Sequence, residues 1–148
     1  MANPYYHLDE TLAAGLIATS FAAMADPPDD QVRAAYSAWN SAFNKSDAKA
    51  VAAFYADDAS FLPPTHDVIQ GPAGVEKFYS GLFAGGVTDH TLDLIRTTGD
   101  DRIVIAAAKW SAAGKDASGK ATRFSGVVTH VFERQPDNSL KLKLHTFN

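Results

Sequence analysis

Two histidines near the end of the chain are the best candidates for acid–base chemistry. His130 and His145 lie in consecutive apolar stretches that a short turn at 136–138 separates. Neighbouring strands would place the two side chains directly opposite each other or offset by one or two positions. An imidazole exchanges a proton near neutral pH, so His130 is our candidate catalytic acid or base. The alternative is that both rings are hydrogen-bonded core residues.

Two pairs of adjacent residues that each contain an aspartate are weaker candidates. His66 and Asp67 precede the third predicted helix, in a loop that we expect near the mouth of a pocket. They are either an oriented pair or solvated turn residues. Asp57 and Asp58 stand where the second predicted helix ends. Because sequence neighbours point in different directions, we interpret them as a turn that leads into a short strand at 59.

Composition excludes several kinds of site. The 148 residues include no cysteine, so disulfides and thiolate chemistry are absent. The spacing of the histidines matches no metal motif, and no phosphate loop or dinucleotide fingerprint occurs. The net charge is −4 and no lysine or arginine cluster exists, which disfavours nucleic acid and anionic membranes as partners. We therefore expect no metal, no cofactor, no nucleic-acid partner and no membrane partner.

Residues 1–30 are predicted to be a separate apolar segment. An apolar run at 12–23 leads into Ala-Met-Ala, which is typical of a signal-peptidase site, but two acids and no basic residue precede the run. If residues 1–25 act as a signal, the protein is exported or periplasmic. Otherwise the segment is an appended helix and the protein is cytoplasmic. The run is too short to span a membrane, and the following DPPDD marks the start of one domain over 31–148.

Helical periodicity begins after this break. Apolar residues recur at three- and four-residue spacing over 32–43, which predicts a first amphipathic helix. Ser46 is the expected cap of a second helix that extends to Tyr55. A third helix is predicted from Pro72 to the glycines at Gly85, because proline is favoured in a first turn and glycine commonly follows a helix end.

The remainder of the chain reads as strands. Residues rich in β-branched and apolar side chains alternate with turn residues, and short turns make consecutive strands antiparallel. We expect an α+β fold with an antiparallel sheet of about four to six strands that curls around three helices packed on its concave face. The main strands are predicted at 91–98, 102–112, 122–134 and 140–147.

The order of these segments resembles a known superfamily. YADDASF at 55–61 leads to a proline-containing strand end, GPAGVEKFY follows at 71–79, and LKLHTF closes the chain at 142–147. Together they resemble nuclear-transport-factor-2-like proteins, and most closely the SnoaL-like and ketosteroid-isomerase-like branch. The resemblance covers about residues 32–148 and implies a cone-shaped sheet around a pocket.

The resemblance also implies roles for individual residues. Tyr55 and Tyr79 match two tyrosines that support an oxyanion-binding tyrosine in the isomerases, and Trp39 stands in the place of that third tyrosine. His130 matches a protonated aspartate of their oxyanion hole. Pro63 stands where the isomerases carry their aspartate base. The resemblance therefore implies the isomerase scaffold without its route of proton transfer.

A mostly apolar pocket with a few polar groups is the expected functional site. The first hypothesis is a domain that binds a small apolar molecule. The alternative is a cofactor-independent isomerase, cyclase or hydratase that uses His130 on an apolar ring-containing metabolite, and whether the protein is an enzyme stays open. Phe147 matches a pocket tryptophan of the isomerases. The predicted ligand-binding residues are Trp39, Tyr55, Phe61, Pro63, His66, Tyr79, Trp110, His145 and Phe147.

The outer face of the predicted sheet suggests an assembly. Val127 and Val131 alternate with His130 along one strand, so they face away from the pocket. Helices cover one face of the sheet only, and an apolar second face is typical of a protein interface. We therefore predict a homodimer that forms through the sheet.

Overall fold

The computed structural model describes residues 28–148, which form three helices and one six-stranded sheet. This arrangement confirms the α+β class. The predicted N-terminal segment lies outside the described residues, apart from 28–30, which begin the first helix. The helices are α1 (Pro28–Asn44), α2 (Ala48–Ala52) and α3 (Gly71–Ala84), and the strands are β1 (Tyr55–Leu62), β2 (Ile69–Gln70), β3 (Thr88–Gly99), β4 (Ile103–Lys115), β5 (Ala121–Arg134) and β6 (Leu140–Phe147).

Helix α1 supplies one wall of the interior. It begins at Pro28, and Asp29 and Asp30 follow in the first turn, where acidic side chains interact favourably with the helix dipole. The apolar stripe predicted from the sequence is buried as expected, and Tyr36 and Trp39 belong to it. No helix among residues 28–148 is long and apolar enough to cross a membrane.

The sequence-based description of α2 needs correction. Asp47, rather than Ser46, is the cap, and its carboxylate accepts a hydrogen bond from the backbone nitrogen of Ala50 at 2.9 Å. Ser46 instead adopts a left-handed conformation with φ of 56°. The helix ends at Ala52, so Tyr55 lies in β1 and not on the helix.

Asp57 and Asp58 also lie within β1, so the predicted turn is wrong. Asp58 forms an ion pair with Lys143 on β6 at 2.5 Å. The two strands are neighbours in the sheet, although 77 residues separate Leu62 from Leu140. A strand whose partner is so distant leaves little local signal, which explains why the acidic residues resembled a turn.

The sheet is mixed and not purely antiparallel. Its strand order is β2-β1-β6-β5-β4-β3. The hairpins from β3 to β6 are antiparallel, as their short turns require, but β1 runs parallel to β6. A parallel pair needs a long connection between its strands, and here α3 and the four strands β2 to β5 provide it.

The helices pack against one face of the sheet. Residues Val128, His130 and Phe132 of β5 are buried on that face, whereas the alternate residue Val127 is 50% exposed on the other. The aromatic side chains of α1 and α3 meet the same face, since Tyr36 contacts His130 and Phe61 of β1 contacts Tyr79 of α3. The inner face therefore carries the core and every buried histidine of the described chain.

Candidate functional site

A cavity of about 370 Å³ lies between α1, α3 and the inner face of the sheet. Its walls are mainly aromatic and aliphatic, and a cavity of this size is typical of a site for a small molecule. Six of the residues predicted from the sequence border it: Trp39, Tyr79, Trp110, His130, His145 and Phe147.

Four predicted residues do not border this cavity. Tyr55 and Phe61 are buried behind it, and the Phe61 ring lies 4.8 Å from the His145 ring. Pro63 and His66 border a separate surface groove beside the chain end. The loop between β1 and β2 contributes Pro64 to the cavity wall in their place.

His130 and His145 face each other across β5 and β6. They occupy directly paired positions, and their ring centroids are 4.4 Å apart. The hydroxyl of Tyr36 lies 2.8 Å from Nδ1 of His130, and the hydroxyl of Tyr55 lies 2.7 Å from Nδ1 of His145. Each ring is therefore oriented by a buried tyrosine.

Tyr36 is a site residue that the sequence-based prediction missed. It lies one helical turn before Asn40 and was assigned to the apolar stripe of α1. The signal was its hydroxyl, because a buried tyrosine requires a hydrogen-bond partner and a strand histidine can supply one.

The Tyr55 hydroxyl lies near two further polar side chains. Burial raises the pKa of Tyr55, and the nearby Tyr79 and Trp39 oppose that rise. The same burial, with the nearby Tyr55, raises the pKa of Tyr79. Among the described residues, Nε1 of Trp39 is fully buried without a hydrogen bond of normal geometry. A buried donor of this kind is costly unless something pairs with it.

His90 is the second residue that the prediction missed. It borders the cavity, and its Nδ1 lies 2.8 Å from Oδ1 of Asn40. Asn44 holds the His90 backbone through hydrogen bonds of 2.7 and 3.1 Å. The ring lies parallel to that of Trp110 at 6.2 Å and is 4.9 Å from Trp39. The prediction began β3 at 91, but the strand begins at Thr88 and so includes His90.

All three cavity histidines are neutral at neutral pH. Burial, with a smaller contribution from the nearby His90, lowers the pKa of His130 to about 3. Burial and the charge of Arg123 lower the pKa of His90 to about 4. Burial, His130 and His90 together hold the pKa of His145 well below its usual value. At pH 7 these rings act as hydrogen-bonding groups and not as cations.

The cavity contains few other groups for chemistry. No Asp or Glu among residues 28–148 borders it, and Lys115 is its one charged neighbour in that range. Within the same part of the chain, no group of three or more His, Asp and Glu residues is placed to hold a metal ion. The polar features are therefore three neutral imidazoles and an indole nitrogen.

A family model described as a SnoaL-like domain matches residues 32–137. The chain belongs to the SnoaL-like domain family. The matched range extends from α1 through β5, so it includes His90 and His130 but not His145 on β6. No curated protein matches the sequence.

Solved structures share the fold of this SnoaL-like domain. A ketosteroid isomerase-like protein from Erwinia carotovora atroseptica has a TM-score of 0.72 and 18% identity, covering 83% of this chain and 96% of that one. A nuclear transport factor 2-like superfamily protein from Salmonella enterica has a TM-score of 0.67 and 14% identity, with coverage of 82% and 89%. A protein of unknown function from Mycobacterium tuberculosis has a TM-score of 0.70 and 16% identity, with coverage of 81% and 70%. These similarities show that the fold is shared, and the family-model match confirms the predicted SnoaL-like domain.

Proposed function

We propose that this SnoaL-like domain binds a small, mainly apolar molecule in the cavity between its helices and its sheet. The observation that carries the proposal is the combination of apolar walls with three neutral histidines at one site. Binding sites for small molecules usually join a largely apolar surface to a few oriented polar groups. Neither a metal ion nor a cofactor is needed for such binding.

The surroundings of His130 favour a binding function over proton transfer. A general base works best when its pKa is near the working pH, and the pKa of His130 is about 3. No described carboxylate borders the cavity to take over the role. Pro63, which stands in the place of the isomerase base, lies at a different groove.

A second candidate is a cofactor-independent enzyme that acts on an apolar ring-containing metabolite. The contact between Tyr36 and His130 favours it, because a neutral imidazole held by its Nδ1 can present an N–H group to a carbonyl oxygen. In that reaction His130 would polarise the substrate as a hydrogen-bond donor. His130 would then act as a hydrogen-bond donor instead of the catalytic acid or base that the sequence suggests.

Tryptophan fluorescence offers a direct test of binding. Trp39 and Trp110 are the two tryptophans of the chain, and both border the cavity. A ligand that enters it should therefore quench or shift the whole tryptophan emission. We expect aromatic ketones and phenols to produce a saturable change and to compete with one another.

A pair of variants on β5 locates the bound molecule. Val128 borders the cavity and is buried, whereas Ser125 lies on the outer face of the same strand and is exposed. Val128→Phe should fill the cavity and abolish binding, and Ser125→Phe should leave binding unchanged. Equal binding by wild type and by a folded Val128→Phe protein would show that the molecule binds elsewhere.

A further inference from the structure

The three cavity histidines differ in the partners that hold their Nδ1 atoms. For His90 that partner is the side-chain oxygen of Asn40, at 2.8 Å. An amide oxygen only accepts hydrogen bonds, so Nδ1 of His90 must carry the hydrogen. In a neutral imidazole the other nitrogen, Nε2, then has a free lone pair and is an acceptor.

His145 has the opposite arrangement. Its partner is the Tyr55 hydroxyl, at 2.7 Å, and among the described residues this nitrogen is the one hydrogen-bond partner of that hydroxyl. A ring nitrogen with a lone pair is the better acceptor of the two groups, so the hydroxyl donates its hydrogen to Nδ1 of His145. Nε2 of His145 therefore carries the ring hydrogen and is a donor.

His130 follows the same rule. Among the described residues, Nδ1 of His130 is the one hydrogen-bond partner of the Tyr36 hydroxyl. An imidazole nitrogen with a lone pair is the better acceptor of the two groups, so the hydroxyl donates to it and the ring hydrogen lies on Nε2. The pairing of His130 with His145 then places two N–H donors side by side.

The Nε2 atoms of the three rings are available to bind a ligand. Within residues 28–148 no hydrogen bond reaches Nε2 of His90, His130 or His145, and all three rings border the cavity. Trp39 contacts rings of both kinds, with ring centroids 4.9 Å from His90 and 6.5 Å from His145. The acceptor and the donors therefore lie around the same indole ring.

We propose that His90 is a specificity-determining acceptor and that the cavity selects apolar molecules with a hydroxyl hydrogen at one end and a carbonyl-type oxygen at the other. The hydroxyl binds Nε2 of His90, and the oxygen binds the N–H groups of His130 and His145. This inference rests on the proposed binding function. A ligand that lacks the hydroxyl hydrogen leaves the His90 lone pair unpaired inside an apolar site, which weakens binding.

The tautomers can be measured in the free protein without any ligand. Long-range proton–nitrogen NMR spectra at pH 7 distinguish a protonated from an unprotonated ring nitrogen, and single His→Phe variants assign the signals. We expect the hydrogen on Nδ1 in His90 and on Nε2 in His130 and His145. A hydrogen on Nε2 of His90, or on Nδ1 of both other rings, overturns the inference whatever the cavity binds.

Three probes test the selectivity in wild-type protein. They are para-hydroxyacetophenone, its methyl ether para-methoxyacetophenone, and para-ethylphenol, which keeps the hydroxyl and lacks the carbonyl. We expect the hydroxyketone to bind at least ~5-fold more tightly than either other probe, because one hydrogen bond contributes about 1 kcal/mol. Equal affinity for the hydroxyketone and its ether overturns the inference and leaves cavity binding intact. Failure of all three probes to change the emission counts against the proposed function itself.

Two variants separate the ends of the site. His90→Phe keeps an aromatic ring beside Trp110 and removes the acceptor, so it should abolish the preference for hydroxyl over methoxy and retain the preference for the ketone. His130→Phe should weaken the preference for the ketone and retain that for the hydroxyl. Loss of both preferences in both folded variants would contradict separate roles for the two histidines.

Discussion

Mild acid should destabilise the domain because its buried histidines are neutral only in the folded state. The pKa of histidine in an unfolded chain is about 6.5, whereas folding lowers it to about 4 for His90, to about 3 for His130 and well below the usual value for His145. Below pH 6.5 the unfolded chain therefore binds more protons than the folded one. The stabilisation is fully present above that pH and is lost as the pH falls towards the folded pKa values.

The expected loss is large for a domain of this size. Between pH 7 and pH 5 each histidine that protonates only on unfolding removes roughly 2 kcal/mol of the free energy of unfolding. His90, His130 and His145 together then remove about 6 kcal/mol, and typical domains have only about 5–15 kcal/mol in total. The protein should approach its unfolding midpoint near pH 5 while most carboxylates are still ionised.

Urea unfolding followed by circular dichroism at several pH values measures this loss. In His130→Gln one of the three titrating rings is absent, so the loss between pH 7 and pH 5 should shrink by about a third, even if the variant is less stable at every pH. His66→Gln is the control, because His66 is exposed and does not border the cavity. A loss below about 2 kcal/mol in the wild type would refute the conclusion that the three buried rings stay neutral in the folded state.

Three further predictions concern the sheet and its ends. We propose a homodimer through the outer face, where Val127 is 50% exposed. Sedimentation at micromolar concentration should give twice the monomer mass for wild type and a monomer for Val127→Asp, and a monomeric wild type would contradict it. Tyr55→Phe should lower the free energy of unfolding by about 1–3 kcal/mol, because Nδ1 of His145 loses its partner; an unchanged urea midpoint would argue against that hydrogen bond. Gly126→Ala should destabilise the domain and change the tryptophan emission, since a Cβ there collides with the carbonyl of Asn148, to which the Trp110 indole donates at 3.0 Å. Unaltered emission would show that Asn148 can shift without disturbing its hydrogen bond with Trp110.

Local sequence patterns predicted the parts of the fold that depend on near neighbours. The bounds of β6 were predicted as 140–147, and α3 was placed within one residue of its observed start. The short turn was enough to place His130 and His145 on neighbouring strands, whereas the expectation that both face the pocket came from the family resemblance. These features depend on residues that are close in sequence, so local periodicity and turn chemistry suffice.

Features that depend on distant partners were not predictable in this way. The parallel pairing of β1 with β6 joins opposite ends of the domain, and it determines that Tyr55 lies in a strand beneath His145. His90 was missed because β3 begins earlier than its β-branched residues indicate. Its partner Asn40 is 50 positions away in the sequence. No single-sequence pattern reveals an amide that contacts a histidine on another element.

Helix α1 gives two of the cavity histidines opposite hydrogen-bonding roles. Tyr36 and Asn40 are four residues apart, so they lie on the same face of the helix, and each reaches the Nδ1 atom of a different strand histidine. A hydroxyl can donate to Nδ1, whereas an amide oxygen can only accept from it. Similar imidazoles in the same apolar cavity therefore present a donor in His130 and an acceptor in His90. Tyr36 and Asn40 lie behind these rings on α1, and their side-chain types therefore determine which hydrogen bonds a ligand must make in the cavity.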